Sequence, residues 1–274
     1  MKILVIGKPI KHSKSPQIQN FWLKKKKINL VYEKKEVNEN DLHQIVNDVR
    51  EERIHGLNVT LPYKQKIMEF VDEIDISAKN SFAVNTIYKR KEKVIGANTD
   101  GKGLVDYLIK DENISLLEKN VLLIGAGGAT YGIVSELIKQ RLKRIEIANR
   151  TEANANKLIK DFNFSQTPII YKKWVPIKPS PKTDLIINCS SFGMQKKELI
   201  EINYNTLKKE TLILDIIYNP LETEFLKESR QYGFKTFNGI GMLIRQAAIA
   251  FNLWFDIDLS LEDITKARDI LQEV

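Results

Sequence analysis

Val121-Leu122-Leu123-Ile124-Gly125-Ala126-Gly127-Gly128-Ala129-Thr130 contains a strand, a glycine turn and the start of a helix. The continuous apolar run over Asn120 to Ile124 fits a strand buried on both faces, as in a parallel sheet. Gly125 to Gly128 form the turn, and Tyr131 to Lys139 follow with Ile133, Val134, Leu137 and Ile138 on one helical face. Glycines at such a turn let the backbone approach a pyrophosphate, whose charge is met by the helix N-terminus. Thr130 replaces the usual third small residue, so a plain strand-to-helix turn is the alternative. The next strand, Arg144 to Ala148, bears on the cofactor. A site preferring NAD carries a carboxylate about 20 residues beyond the turn, on the ribose hydroxyl. Here the strand ends in Asn149-Arg150-Thr151, and Glu146 comes too early. A guanidinium and a hydroxyl suit a 2′-phosphate, so NADP is the expected cofactor. Alternatively, Arg150 is a surface residue ahead of a Thr151 helix cap.

Outward from this unit the same alternation recurs. Thr183 to Asn188, Leu212 to Ile216 and Lys235 to Phe237 read as further strands, with helices at Glu152 to Phe162 and Glu222 to Tyr232. In the first half, strands are expected at Lys2 to Ile6, Val31 to Val37 and His55 to Thr60. Helices are expected at Gln17 to Lys27, Glu39 to Arg50 and Leu61 to Val71, the last opened by Pro62. Val84 to Tyr88 and Val94 to Ala97 suggest a hairpin, and Asp100 to Lys110 a helix. Ile240 to Val274 read as two helices. The expected class is α/β, with the strand–helix alternation implying a parallel sheet covered on both faces. The expected boundary lies near Gly101 to Gly103.

The 274 residues suit one large domain or two ordinary ones. A 43% hydrophobic chain with 13 Gly and 8 Pro is neither collagen-like nor predominantly disordered. No apolar run approaches the roughly 20 residues of a membrane-spanning helix. The lone Cys189 forms no internal disulfide, which points to a reducing cytoplasm. A net charge of +8 would suit a nucleic-acid binder, but the basic residues are 34 Lys and only 9 Arg. The lysines are spread along the chain, Lys196-Lys197 among them, rather than clustered with the planar arginines that phosphate and base recognition prefer. A solvated, lysine-rich surface is therefore expected rather than a nucleic-acid patch, and attraction of anionic small molecules is compatible with either; no membrane partner is expected, and monomer and homodimer remain open.

Three polar clusters interrupt the first half. In His12-Ser13-Lys14-Ser15-Pro16, Ser15 reads as a helix cap, and two hydroxyls at a helix N-terminus also suit a carboxylate. Asn58-Val59-Thr60-Leu61-Pro62-Tyr63-Lys64 sets a lysine in the first turn of an expected helix, where the helix dipole disfavours a cation. That placement would lower the ammonium's pKa and ready it for proton transfer, with a nearby carboxylate opposing the shift. Asn98-Thr99-Asp100-Gly101 offers such a carboxylate, which is equally acceptable as a helix cap. Asn85 is a polar residue entering an apolar strand.

In order, Ser13-x-Ser15-Pro16, Asn58-Val59-Thr60-x-Pro62-x-Lys64, Ala83-Val84-Asn85-Thr86, Asn98-Thr99-Asp100-Gly101, Gly125 to Ala129 and Asn149-Arg150-Thr151 resemble the shikimate dehydrogenase family. Asp215 to Thr223 and Gly239 to Gln246 extend the resemblance over nearly the whole chain. It implies an N-terminal α/β substrate domain and a Rossmann-type, doubly wound NADP domain, divided as 1–101 plus 239–274 and 102–238. It implies reversible NADPH-dependent reduction of 3-dehydroshikimate to shikimate, within the pathway to chorismate and the aromatic amino acids. Ser13 and Ser15 would hold the substrate carboxylate; Thr60, Asn85, Asp100 and Gln246 would bond its hydroxyls and carbonyl. Lys64, paired with Asp100, would transfer the proton. Tyr218 would border the substrate. Gly125, Ala126, Gly127, Gly128, Ala129, Asn149, Arg150, Thr151, Ile216 and Gly239 would line the cofactor, and no metal is implied.

Two departures stand out. Asn154 occupies a position where strongly NADP-preferring members often carry a second basic residue, which leaves room for partial NAD use. Ser190 replaces a common Thr, and Cys189 beside it reads as a packed residue rather than a nucleophile. The alternatives are a quinate/shikimate dehydrogenase using NAD and a non-catalytic NADP-binding regulator. Keeping both Lys64 and Asp100 argues against the regulator.

Overall fold

The computed structural model describes residues 1–194 and 200–272; Lys196-Lys197 and the last two residues of the expected C-terminal helix lie outside them. The chain divides into two compact units, Met1–Leu104 with Leu243–Val274, and Val105–Met242.

The first unit opens with β1 (Lys2–Gly7), α1 (Ser15–Lys25), β2 (Val31–Glu36), α2 (Leu42–Arg50) and β3 (Ile54–Val59). Then come β4 (Glu73–Ile74), α3 (Ile76–Ser81), β5 (Thr86–Arg90), β6 (Lys93–Ala97) and α4 (Asp100–Asp106). The sheet order is β2-β1-β3-β5-β6-β4. It is mixed, with the expected hairpin formed by β5 and β6. β1 runs parallel to β2 and β3, whereas β5 is antiparallel to both β3 and β6. The cause is local: only Lys91 and Glu92 join β5 to β6, and so short a link can only reverse the chain. The core forms where Leu42, Ile45, Val46 and Val49 of α2 meet Leu4, Ile6, Leu57 and Ile87 of the strands. β2 is an edge strand, and only Tyr32 in it is buried.

Two further local expectations need correction. No α-helix spans Leu61 to Val71; turns lead into a short 3-10 stretch, Lys66–Glu69. The Lys64 carbonyl accepts from Val84 N–H at 2.7 Å, while Met68 N–H bonds Gln65 three residues back. Ile67 N–H does bond the Tyr63 carbonyl at 2.9 Å, but the next α-type bond, Met68 to Lys64, is lost and the ladder stops there. The dipole argument for Lys64 goes with the helix. Likewise Ser15 is not the cap of α1: Lys14 caps it, and Ser15 and Pro16 are its first two residues.

The second unit holds β7 (Asn120–Ile124), α5 (Gly128–Leu137), β8 (Arg144–Ala148), α6 (Glu152–Asp161) and β9 (Ile169–Lys172). β10 (Leu185–Asn188), β11 (Leu212–Asp215), α7 (Glu224–Gln231) and β12 (Lys235–Phe237) complete it. All five pairings are parallel, in the order β12-β11-β10-β7-β8-β9. This is a doubly wound sheet whose order reverses between β7 and β10, where such sheets bind ligands beyond the strand ends. β9 escaped the sequence pattern because its four residues neither alternate nor stay apolar.

α8 (Ile240–Phe255) and α9 (Leu261–Gln272) close the chain. Asp263 fastens α9 to α1. Its carboxylate accepts from Ser260 N–H and Oγ at 3.0 Å and pairs with Lys25 at 2.7 Å and Lys26 at 2.9 Å. Burial alone would raise its carboxyl; the hydrogen bonds from Lys25, Lys26 and Ser260 outweigh it and hold the group well below the ordinary carboxylate value. Asp263→Ala is expected to cost about 2 kcal/mol in urea unfolding at neutral pH. Because the folded carboxyl is depressed, its contribution is present above the unfolded value and lost as pH falls. The gap between wild type and variant should therefore shrink below about pH 4.

Candidate active site

In the first unit, the end of β1, the end of β3, the start of β5 and the end of β6 all lie at one end of the sheet. Parallel β1 and β3 place Ile6 against Val59, and antiparallel β5 places Thr86 against Asn58 and Ala97. The segments carrying Ser13 and Ser15, Thr60 and Lys64, Asn85, and Asp100 all depart from that end.

Lys64 Nζ donates to Asp100 Oδ2 at 2.5 Å, with side chains 13% and 8% exposed. In so dry a setting the pair interacts more strongly than a surface salt bridge would. The other carboxylate oxygen accepts from Asn85 Nδ2 at 2.8 Å, and Asp100 N–H donates to Asn98 Oδ1 at 3.0 Å. Asp100 opens α4, and each of its oxygens accepts from one side chain while keeping a lone pair for another donor.

Behind it runs a buried polar network. Asn85 Nδ2 also donates to Thr99 Oγ1 at 3.0 Å, while Asn85 Oδ1 accepts from Thr99 N–H and Thr86 Oγ1, each at 2.9 Å. Asn58 Nδ2 donates to Thr86 Oγ1 at 3.0 Å, and Tyr32 OH donates to Asn58 Oδ1 at 2.7 Å. No role for Asn58, Thr86 or Tyr32 follows from the sequence alone. Asn58 carries the clearest signal, a polar residue between the buried Leu57 and Val59 of β3.

Thr99 Oγ1 lies 3.3 Å from Gln246 Oε1, and Gln246 Nε2 donates to the Leu243 carbonyl at 2.9 Å. Gly103 explains this approach: a Cβ there would sit 2.6 Å from Gln246 N. Ser13 Oγ accepts from Ser15 N–H at 3.4 Å, and Thr60 N–H donates to the Ile6 carbonyl at 2.9 Å.

In the second unit, Gly125 has φ +107°, a left-handed conformation that favours glycine, and a Cβ there would press on Ser190 at 3.0 Å. Gly127 caps α5 with open space where a Cβ would be. Ala126 N–H donates to Asn149 Oδ1 at 3.1 Å, and Asn149 Nδ2 donates to the Thr151 carbonyl at 2.7 Å. Arg150 and Thr151 lie exposed just past β8. The open glycine cradle at a helix N-terminus, with a guanidinium beside it, fits the pyrophosphate and 2′-phosphate of NADP. Glu146 is buried and paired with Arg144 at 3.0 Å and Lys172 at 3.5 Å. Gly239 and Ile216 come together, since a Cβ on Gly239 would overlap the Ile216 carbonyl.

Asp215 ends β11. It is buried, accepting from Thr223 Oγ1 at 2.8 Å and from Asn188 Nδ2 and Ile217 N–H at 3.0 Å. Burial outweighs these bonds and pushes its carboxyl up to about 6. Moving the carboxyl that far corresponds to about 3 kcal/mol. A raised acid stabilises most below its unfolded value and loses that contribution as pH rises through the folded one. Wild type should therefore lose thermal stability relative to Asp215→Asn between about pH 4 and pH 7. Burial also pushes the neighbouring Cys189 thiol up, as a packed and unreactive residue requires.

Family models match three stretches of the chain. The shikimate dehydrogenase substrate binding domain matches residues 5–87, shikimate / quinate 5-dehydrogenase 107–224, and the shikimate 5′-dehydrogenase C-terminal domain 239–267. A shikimate dehydrogenase (NADP(+)) of Pelagibacter ubique (strain HTCC1062) is 43% identical over 93% of each chain. Among solved structures, a ligand-free 5-ketofructose reductase of Gluconobacter sp. strain CHM43 has a TM-score of 0.88 at 28% identity, covering 98% of both chains. A shikimate dehydrogenase in complex with NADP+ has a TM-score of 0.86 at 34% identity, covering 100% of this chain and 95% of its own. With that identity sustained over nearly its whole length, the chain belongs to the shikimate dehydrogenase family.

Proposed function

We infer that this protein catalyses the reversible, NADPH-dependent reduction of 3-dehydroshikimate to shikimate, on the route to chorismate and the aromatic amino acids. The observation that carries the reading is the dry Lys64–Asp100 pair, clamped by Asn85 at the ligand end of the sheet. When bound, the cofactor supplies the hydride. The chain's part is to orient the substrate and manage charge and proton. Negative charge develops on the carbonyl oxygen as hydride arrives, and the Lys64 ammonium stabilises and then protonates it. Asp100 holds Lys64 in place and accepts from a substrate hydroxyl. Ser13 and Ser15 take the carboxylate, while Thr60 and Gln246 bond ring oxygens. Asn85, whose amide is already committed, serves chiefly by fixing Asp100. Tyr218 borders the substrate; Ile216, Gly239, the Gly125 to Ala129 turn and Asn149 to Thr151 line the cofactor.

The same reading has the protein act on small molecules alone, as a monomer or homodimer in the cytoplasm, without nucleic acid. The experiment offers purified protein shikimate, and separately quinate, with NADP and with NAD, and follows reduced-cofactor absorbance. Turnover of shikimate with NADP well above all other pairs is expected. Turnover of quinate with NAD at an equal rate favours the broader quinate/shikimate enzyme, and no turnover of any pair sinks the enzymatic reading.

A further inference from the structure

We propose that Phe192 fixes the cofactor preference by acting as the platform on which Arg150 is held for the 2′-phosphate of NADP. This rests on the NADP reading above. An exposed arginine samples many rotamers, and ordering them opposes binding. Arg150 is exposed, yet its guanidinium carbon lies 5.3 Å from the Phe192 ring centroid, within cation–π range. A cation–π contact engages the guanidinium through its charge rather than its N–H donors. The planar fork of N–H donors is thereby left for bidentate phosphate recognition.

The platform is itself fixed. Phe192 packs on the core cluster that includes Ile177 and Ile186, and its ring lies 5.2 Å from Trp174 at 58°. Its carbonyl accepts from Asn188 Nδ2 at 3.0 Å, and its N–H donates to Ser190 Oγ at 3.2 Å. The end of β10 thus positions the ring, and the ring positions the guanidinium at the end of β8. With Asn154 where a second basic residue is often found, the placement of the one remaining charge matters more.

The test is calorimetric binding of 2′,5′-ADP and of ADP to the intact protein. Phe192→Leu keeps apolar bulk and removes the π face. It should weaken 2′,5′-ADP about two- to fivefold and leave ADP unchanged, with Phe192→Tyr restoring the affinity. Arg150→Ala should abolish the preference for 2′,5′-ADP, and adding Phe192→Leu to it should cost nothing further. Thermal unfolding of each variant separates a misfolded protein from an altered site. Phe192→Leu that weakens both ligands alike, or neither, overturns the platform while leaving the NADP reading intact. Equal loss of both ligands in Arg150→Ala overturns the NADP reading and this proposal with it.

Discussion

Lys64→Ala is expected to lower kcat with shikimate and NADP by about 10²- to 10⁴-fold, while NADP binding stays at the wild-type level. The argument is geometric. Lys64 is the cation paired with Asp100, 2.5 Å away, at the end of the sheet from which the segments carrying Ser13, Ser15, Thr60 and Asn85 depart. Removing it takes away both the proton and the positive charge that meets the developing alkoxide. It also leaves the mostly buried Asp100 carboxylate with Asn85 but without its counter-charge, which penalises the site further. Lys64→Met keeps the apolar stem and should be about as inactive, which separates lost charge from lost packing. Cofactor affinity is the control, because the proposed NADP residues all belong to the other unit. Turnover of Lys64→Ala within about threefold of wild type would remove Lys64 from the chemistry.

Lys64 also illustrates what the sequence can and cannot say. The residue stood out because a lysine in a helix's first turn is electrostatically misplaced, but the structure has no helix there. What singles it out is a carboxylate 36 positions away, and no local pattern reveals such a partner. The same holds for the chain from Tyr32 through Asn58, Thr86 and Asn85 to Asp100. Each member is a lone polar residue until sheet register brings four segments together. The doubly wound unit was more legible. A strand buried on both faces must be apolar throughout, so β7, β10 and β11 stand out as unbroken runs. The first unit's edge strand β2 faces solvent on most positions, and β4 and α3 are too short for a periodic pattern to register.

Arg150→Ala is expected to raise KM for NADP by about 10- to 100-fold and to change KM for NAD little. Charge-assisted bonds to a phosphate are the strong ones, and the 2′-phosphate is the only group that distinguishes the two cofactors. The glycine turn meets the pyrophosphate, which both share, so Gly127→Ala should weaken NADP and NAD together if its open face is where the pyrophosphate lies. The contrast between the two variants assigns each half of the site. Raising ionic strength should erode wild-type affinity for NADP more than that of Arg150→Ala, since the exposed charge is screened. Equal loss for NADP and NAD in Arg150→Ala would place the guanidinium elsewhere on the cofactor. The Asn149-Arg150-Thr151 strand end would then shape the pocket without selecting the phosphate, and the NAD-using quinate/shikimate reading would gain the advantage.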